Sequence, residues 1–156
     1  MTEQLTKTDA SPAPRLVRDL AGAVDGSEPS REGLRLAADV ARRTGAHVTV
    51  VHVRHVPVAA MATAGWNGAV TVQALDTIQE EAYRQSHELL DEAGASWRFV
   101  VRQGGAGVEI VRAAEELGVD LIVIGSRRHG ALHNAVVGST AEYLVAHSPL
   151  PVLVAR

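Results

Sequence analysis

The chain lacks cysteine entirely, which excludes disulfides and thiolate-held metal centres. It also lacks any apolar run near the ~20 residues that a membrane-spanning helix needs. There is no excess of positive charge. Fifteen Lys and Arg stand against 18 Asp and Glu, a formal net charge of −3, so no overall basic field favours nucleic acid. What is present is apolar character: 46% of the residues are hydrophobic, too many for a disordered chain. A length of 156 residues suits one domain with a sizeable core. Met1 to Pro14 is polar, with Lys7, Asp9, Pro12 and Pro14, and has no apolar centre of the signal-peptide kind. Residues 1–14 are read as a flexible tail ahead of a domain over 15–156. The expected setting is cytoplasmic, with neither membrane nor nucleic acid as partner.

Periodicity divides the domain into alternating strands and helices. Leu20 to Val24 is a short apolar run ending in Asp25-Gly26-Ser27, the first strand. Ser27 or Ser30 caps a helix whose first turn accepts Pro29, with Leu34, Ala37, Ala38 and Ala41 along one face. Gly45 closes it. His47 to Val53 is a valine-rich buried strand. Arg54 to Val72 is irregular and reads as the longest loop. Gln73 to Ala93 reads as a helix facing inward through Leu75, Ile78, Ala82, Leu89 and Ala93. Ser96 to Arg102 alternates, with Trp97, Phe99 and Val101 on the drier side, as at a sheet edge. Gly104-Gly105-Ala106-Gly107 turns into a helix buried through Ile110, Val111, Ala114 and Leu117. Leu121 to Ile124, a helix over Thr140 to Ala146, and Val152 to Ala155 complete the order. The pattern β-α-β-α-β-α-β-α-β predicts an α/β fold, a doubly wound five-stranded parallel sheet, Rossmann-like, of strand order 3-2-1-4-5. Ligands of such sheets sit at the carboxyl ends of the strands, near the switch in strand order.

The stretch that follows the fourth strand carries the chemistry. The strand ends at Gly125, a basic loop Ser126-Arg127-Arg128-His129-Gly130 follows, and Gly138-Ser139-Thr140 opens the next helix. Glycine admits close backbone approach, two hydroxyls follow it, and the helix start offers unpaired N–H groups. The combination suits a phosphate. The same residues support a second reading: Ser139-Thr140-Ala141-Glu142 has the form of a capping box, Ser139 capping the helix and Glu142 reaching back. The loop is neither a P-loop nor a dinucleotide fingerprint.

Ala23-Val24-Asp25-Gly26-Ser27-Glu28-Pro29-Ser30, Val50-Val51-His52-Val53, Gly125-Ser126-Arg127 with Gly138-Ser139, and the closing Ser148-Pro149-Leu150-Pro151-Val152-Leu153-Val154 occur in an order that resembles the universal stress protein family. The resemblance spans roughly residues 16 to 156. It implies a five-stranded parallel α/β sandwich, often dimeric through the last strand, here Val152, Leu153 and Val154. One branch of the family binds ATP and another lacks the site. The binding pattern is Gly, two residues, Gly, nine residues, then Gly-Ser or Gly-Thr. Gly125 matches its first position, and Gly138 and Ser139 its last two. Arg128 stands where the second glycine belongs, and Gly130, two residues on, supplies flexibility there. Arg128 has opposite readings: its bulk blocks the backbone approach, or its guanidinium grips phosphate oxygens bidentately. The second is favoured, because the other elements are retained. The resemblance also places Asp25 near the adenosine and Val53 against the adenine. It implies ATP, or AMP or ADP, with Mg²⁺, held by Asp25, Val53, Gly125, Arg127, Arg128, Gly130, Gly138, Ser139 and Thr140.

Other candidates are weaker. His52 and His55 are neighbours and His129 and His133 are four apart, but no carboxylate or cysteine set completes a metal site. His52, inside a strand, reads as a hydrogen-bonded core residue. Ser139 with His129 or His133 lacks an orienting third group for nucleophilic catalysis. The expected role is therefore regulatory nucleotide binding in a stress response. Its rivals are a dimeric interaction module of the same fold without nucleotide, and a slow ATP hydrolase.

Overall fold

The computed structural model describes residues 17–55, 68–126 and 138–156. The expected tail over 1–14, most of the long loop, and Arg127, Arg128, His129, Gly130 and His133 lie outside the described residues. The described chain runs β1 (Asp19–Val24), α1 (Glu28–Thr44), β2 (His47–Arg54), α2 (Gly68–Glu92), β3 (Trp97–Gln103), α3 (Ala106–Glu116), β4 (Leu121–Gly125), α4 (Ser139–His147) and β5 (Val152–Ala155). The sheet order is β3-β2-β1-β4-β5, with every pairing parallel, as the sequence pattern requires. The order reverses between β1 and β4, which defines the switch point.

Strand alternation sorts the core into two layers. Leu20, Val24, Val48 and Val50 pack with Leu34 of α1 and Leu90 of α2. Ala21, Ala23, Val51 and Ile122 pack with Ile110 of α3 and Leu144 of α4. Both faces are thus covered, and full burial of each leucine or isoleucine contributes about 1.5–3 kcal/mol. Local signals agree with this packing. Ser27 is the α1 N-cap, its side chain accepting from the Ser30 N–H, and Pro29 lies in the first turn. Gly45 ends the helix at φ 73°, the left-handed conformation that glycine adopts without a Cβ penalty.

Three expectations are corrected. The helix expected from Gln73 begins at Gly68, so the preceding loop is shorter. Gly68 and the β-branched Val70, Thr71 and Val72 are weak helix formers, which disguises its first turns as loop. Its buried face runs through Ala82, Ser86 and Leu90, while Ile78, expected inside, is 44% exposed. The N-terminal half of α2 buries little, while its C-terminal half packs on the core through Ala82 and Leu90. On β3, an edge strand as expected, Trp97 and Phe99 are half-buried but Val101 is exposed.

Candidate functional site

The carboxyl ends of β1, β2 and β4 and the first turns of α1, α3 and α4 surround one cleft. Its floor is apolar, formed by Val51, Val53, Ile110 and Ile124. Its rim is polar and small, with Asp25, Ser27, Gly138, Ser139 and Thr140. Six expected site residues (Asp25, Val53, Gly125, Gly138, Ser139 and Thr140) therefore line the same space, although more than 100 residues separate the first from the last. Arg127, Arg128 and Gly130, the remaining three, lie outside the described residues. Sequence reasoning missed Ile110, Ile124 and Ala106, which read simply as core and turn.

Each wall is built differently. On the β1 side, Asp25 Oδ1 accepts from the Ser27 N–H at 2.9 Å and from the Ser27 hydroxyl. The Ser27 hydroxyl oxygen in turn accepts from the Ser30 N–H at 3.4 Å. Asp25 therefore does not cap α1 itself. It orients the serine that does, closing a tight turn in which Gly26 has φ 82°. Behind this turn, buried His52 donates from Nδ1 to the Val24 carbonyl oxygen at 3.0 Å and stacks on Phe99. It is the hydrogen-bonded core histidine that its place in a strand suggests. It ties down the last peptide of β1 just before Asp25. From α2, Gln85 Nε2 donates to the Gly26 carbonyl oxygen at 3.2 Å and to Glu81 at 2.7 Å. The Arg84 guanidinium hydrogen-bonded to Glu81, with Gln85 beside it, holds the Glu81 carboxyl below the usual carboxylate range.

On the β4 side, Gly125 meets α1. A Cβ at Gly125 would lie 1.7 Å from the Pro29 carbonyl oxygen, and one at Gly33 would lie 2.5 Å from the Gly125 nitrogen. The first glycine of the expected phosphate pattern thus has a packing reason of its own. It lets the start of α1 lie directly on the end of β4.

On the α4 side, the capping-box expectation fails by one residue. Gly138, not Ser139, is the N-cap, and among the described residues it gives the helix no side-chain cap hydrogen bond. Ser139 and Thr140 occupy the first helical positions, and the Glu142 N–H bonds the Gly138 carbonyl oxygen at 2.9 Å. The N–H groups ahead of Glu142 have no intrahelical partner by the geometry of any helix start. They point to where the helix dipole favours an anion. α3 starts the same way, with Gly105 as N-cap and no side-chain cap, and its Ala106 lines the cleft.

A doubly wound parallel sheet with a half-apolar, half-polar cleft at its switch point places the chain in the Rossmann-like α/β class. More narrowly, the chain belongs to the universal stress protein family, whose family model matches residues 18–156. It is 30% identical over 143 residues to universal stress protein YxiE of Bacillus subtilis, covering 86% of this chain and 95% of that protein. Among solved structures it is similar to universal stress protein UspA from Lactobacillus plantarum, with a TM-score of 0.71, 25% identity, and coverage of 90% of this chain and 98% of the other. A universal stress protein from Archaeoglobus fulgidus in complex with dAMP shares the fold at 21% identity and a TM-score of 0.61, covering 90% of this chain and 98% of that one.

Proposed function

We propose that this universal stress protein binds an adenine nucleotide, ATP with Mg²⁺, in the switch-point cleft and serves as a regulator in the cytoplasm rather than as a metabolic enzyme. The carrying observation is the pairing of an apolar trough, Val51, Val53, Ile110 and Ile124, with a glycine-capped helix start at Gly138-Ser139-Thr140. The trough suits a flat base and the helix start suits its phosphates. Asp25, beside the trough, takes the ribose. Gly125, Arg127, Arg128 and Gly130 join Gly138, Ser139 and Thr140 around the phosphates. The structure of the Archaeoglobus fulgidus relative in complex with dAMP supports an adenine nucleotide as the ligand class.

Mg²⁺ fits as a passenger of the nucleotide. Among the described residues no group of three or more His, Asp or Glu side chains could hold a metal. Magnesium typically rides on phosphate oxygens and water with one or two protein oxygens, and Asp25, Ser139 and Thr140 offer these. β5, an edge strand whose Val152, Leu153 and Val154 are only half-buried, supports pairing with a second copy as a homodimer.

Equilibrium titration with Mg²⁺-ATP tests the reading. Saturable binding below millimolar concentration is expected, and no binding at millimolar nucleotide overturns it. Replacing Arg128 resolves the departure from the family pattern. Arg128→Gly is expected to weaken ATP binding about tenfold, the loss of a charge-assisted contact. Tighter binding by the variant would make the arginine an obstacle.

A further inference from the structure

The glycines before α3 are not interchangeable. Gly104 has φ 142°, and at Gly105 a Cβ would meet nothing within 4 Å. Gly107 is different. A Cβ there would fall 2.4 Å from Cδ1, 2.7 Å from Cγ and 3.1 Å from Cβ of Tyr143. The Tyr143 side chain on α4 thus lies directly against the bare backbone of the first turn of α3. Its ring stacks on His147, one turn along α4, with ring centroids 4.2 Å apart and planes 17° from parallel. His147 Nδ1 also donates to the Tyr143 carbonyl oxygen at 3.0 Å. Gly107 and His147 both pack against the Tyr143 side chain.

Tyr143 lies two residues beyond Ala141, which lines the cleft, and Gly107 lies one beyond Ala106, which also lines it. The contact therefore fixes how closely the two glycine-capped helix starts approach. We infer that Tyr143 is a positioning residue for the phosphate end of the cleft: seated on Gly107, it sets the α4 N-terminus in register with the floor. This deepens the nucleotide reading and rests on it. The distances under 3.0 Å are to the ring atoms Cδ1 and Cγ, and the ring also packs on His147, so a side chain at residue 107 would push ring and helix together. α4 itself would have to move, and its N–H groups would move with it. A displacement of that kind acts on phosphates and spares the base and ribose, which Val53 and Asp25 serve from β2 and β1.

The test compares ATP with adenosine on four proteins: wild type, Tyr143→Ala, Gly107→Ala and the double variant. Gly107→Ala is expected to weaken ATP binding about tenfold, within the range of a lost helix-terminus interaction, and to leave adenosine affinity unchanged. Tyr143→Ala is expected to weaken ATP binding less, again sparing adenosine, and Tyr143→Phe to bind like wild type. Because the steric conflict of Gly107→Ala needs the Tyr143 ring, the double variant should bind ATP no worse than Tyr143→Ala alone. Equal losses for ATP and adenosine, or additive losses in the double variant, would overturn the inference while leaving the nucleotide reading intact. Wild type binding neither ligand would overturn that reading and the inference together.

Discussion

The starts of α1 and α4 face the same cleft and solve the same problem in opposite ways. α1 is sealed: Ser27 accepts from Ser30, and Asp25 holds Ser27 in place. α4 starts from Gly138, whose lack of a side chain leaves the N-cap residue no cap hydrogen bond to give. A helix start costs stability when its N–H groups go unpaired, and a capping side chain recovers about 1 kcal/mol. The side-chain groups at the first are turned inward on its own turn. At the second, the cap residue brings no side chain. The contrast separates a helix start closed by its own side chains from one capped by glycine, even though both carry a serine and an acidic residue in their first turns.

The most disruptive way to break the comparison is at the sealed side. Gly125→Ala drives a Cβ into the Pro29 carbonyl, which is backbone and cannot rotate away. A loss of about 3 kcal/mol or more is expected, read as a lower denaturant midpoint with ATP binding falling alongside. Wild-type stability in this variant would show that α1 and β4 do not need each other. The most informative test is at the open side. Gly138→Asp supplies α4 with the carboxylate cap it lacks. Stability should rise by a few tenths of a kcal/mol, while ATP binding falls tenfold or more, because a fixed negative charge then occupies the phosphate position. Both quantities moving in one direction would erase the distinction between the two helix starts. The smallest effect belongs to Ser27→Ala. Loss of the α1 cap should cost about 1 kcal/mol in thermal or chemical unfolding and change ATP affinity less than threefold. A larger loss of affinity would move Ser27 from scaffold to ligand contact.

The same contrast marks how far a sequence can be read. Strand and helix order is legible because buried parallel strands are continuous apolar runs and the helices carry one apolar face. Strand order follows from right-handed crossovers and short connections. That Asp25, Gly125 and Gly138 to Thr140 line the candidate cleft is legible as well, since they fall at strand ends or helix starts, whereas Val53 reads as core and enters only through the family resemblance. Their separate duties are not. Ser139-Thr140-Ala141-Glu142 has the letters of a capping box, yet the helix begins one residue earlier and the box does not close. A one-residue shift at a helix start is below what local pattern resolves. The roles of Gly125 and Gly107 depend on Pro29 and Tyr143, distant in sequence, so no local window contains the reason for either glycine. α2 hides its first turns because its N-terminal half buries little and so shows no apolar stripe.

The interlock of Gly125 with Pro29 and Gly33 also has a mechanical consequence. Backbone laid on backbone, without an intervening side chain, leaves no rotamer to yield under load. The cleft therefore has one stiff jaw, α1 fused to β4, and one compliant jaw, α4, seated through an aromatic ring. Amides in the first turn of α4 are therefore expected to exchange with solvent faster than those of α1, which hydrogen-exchange measurements would read.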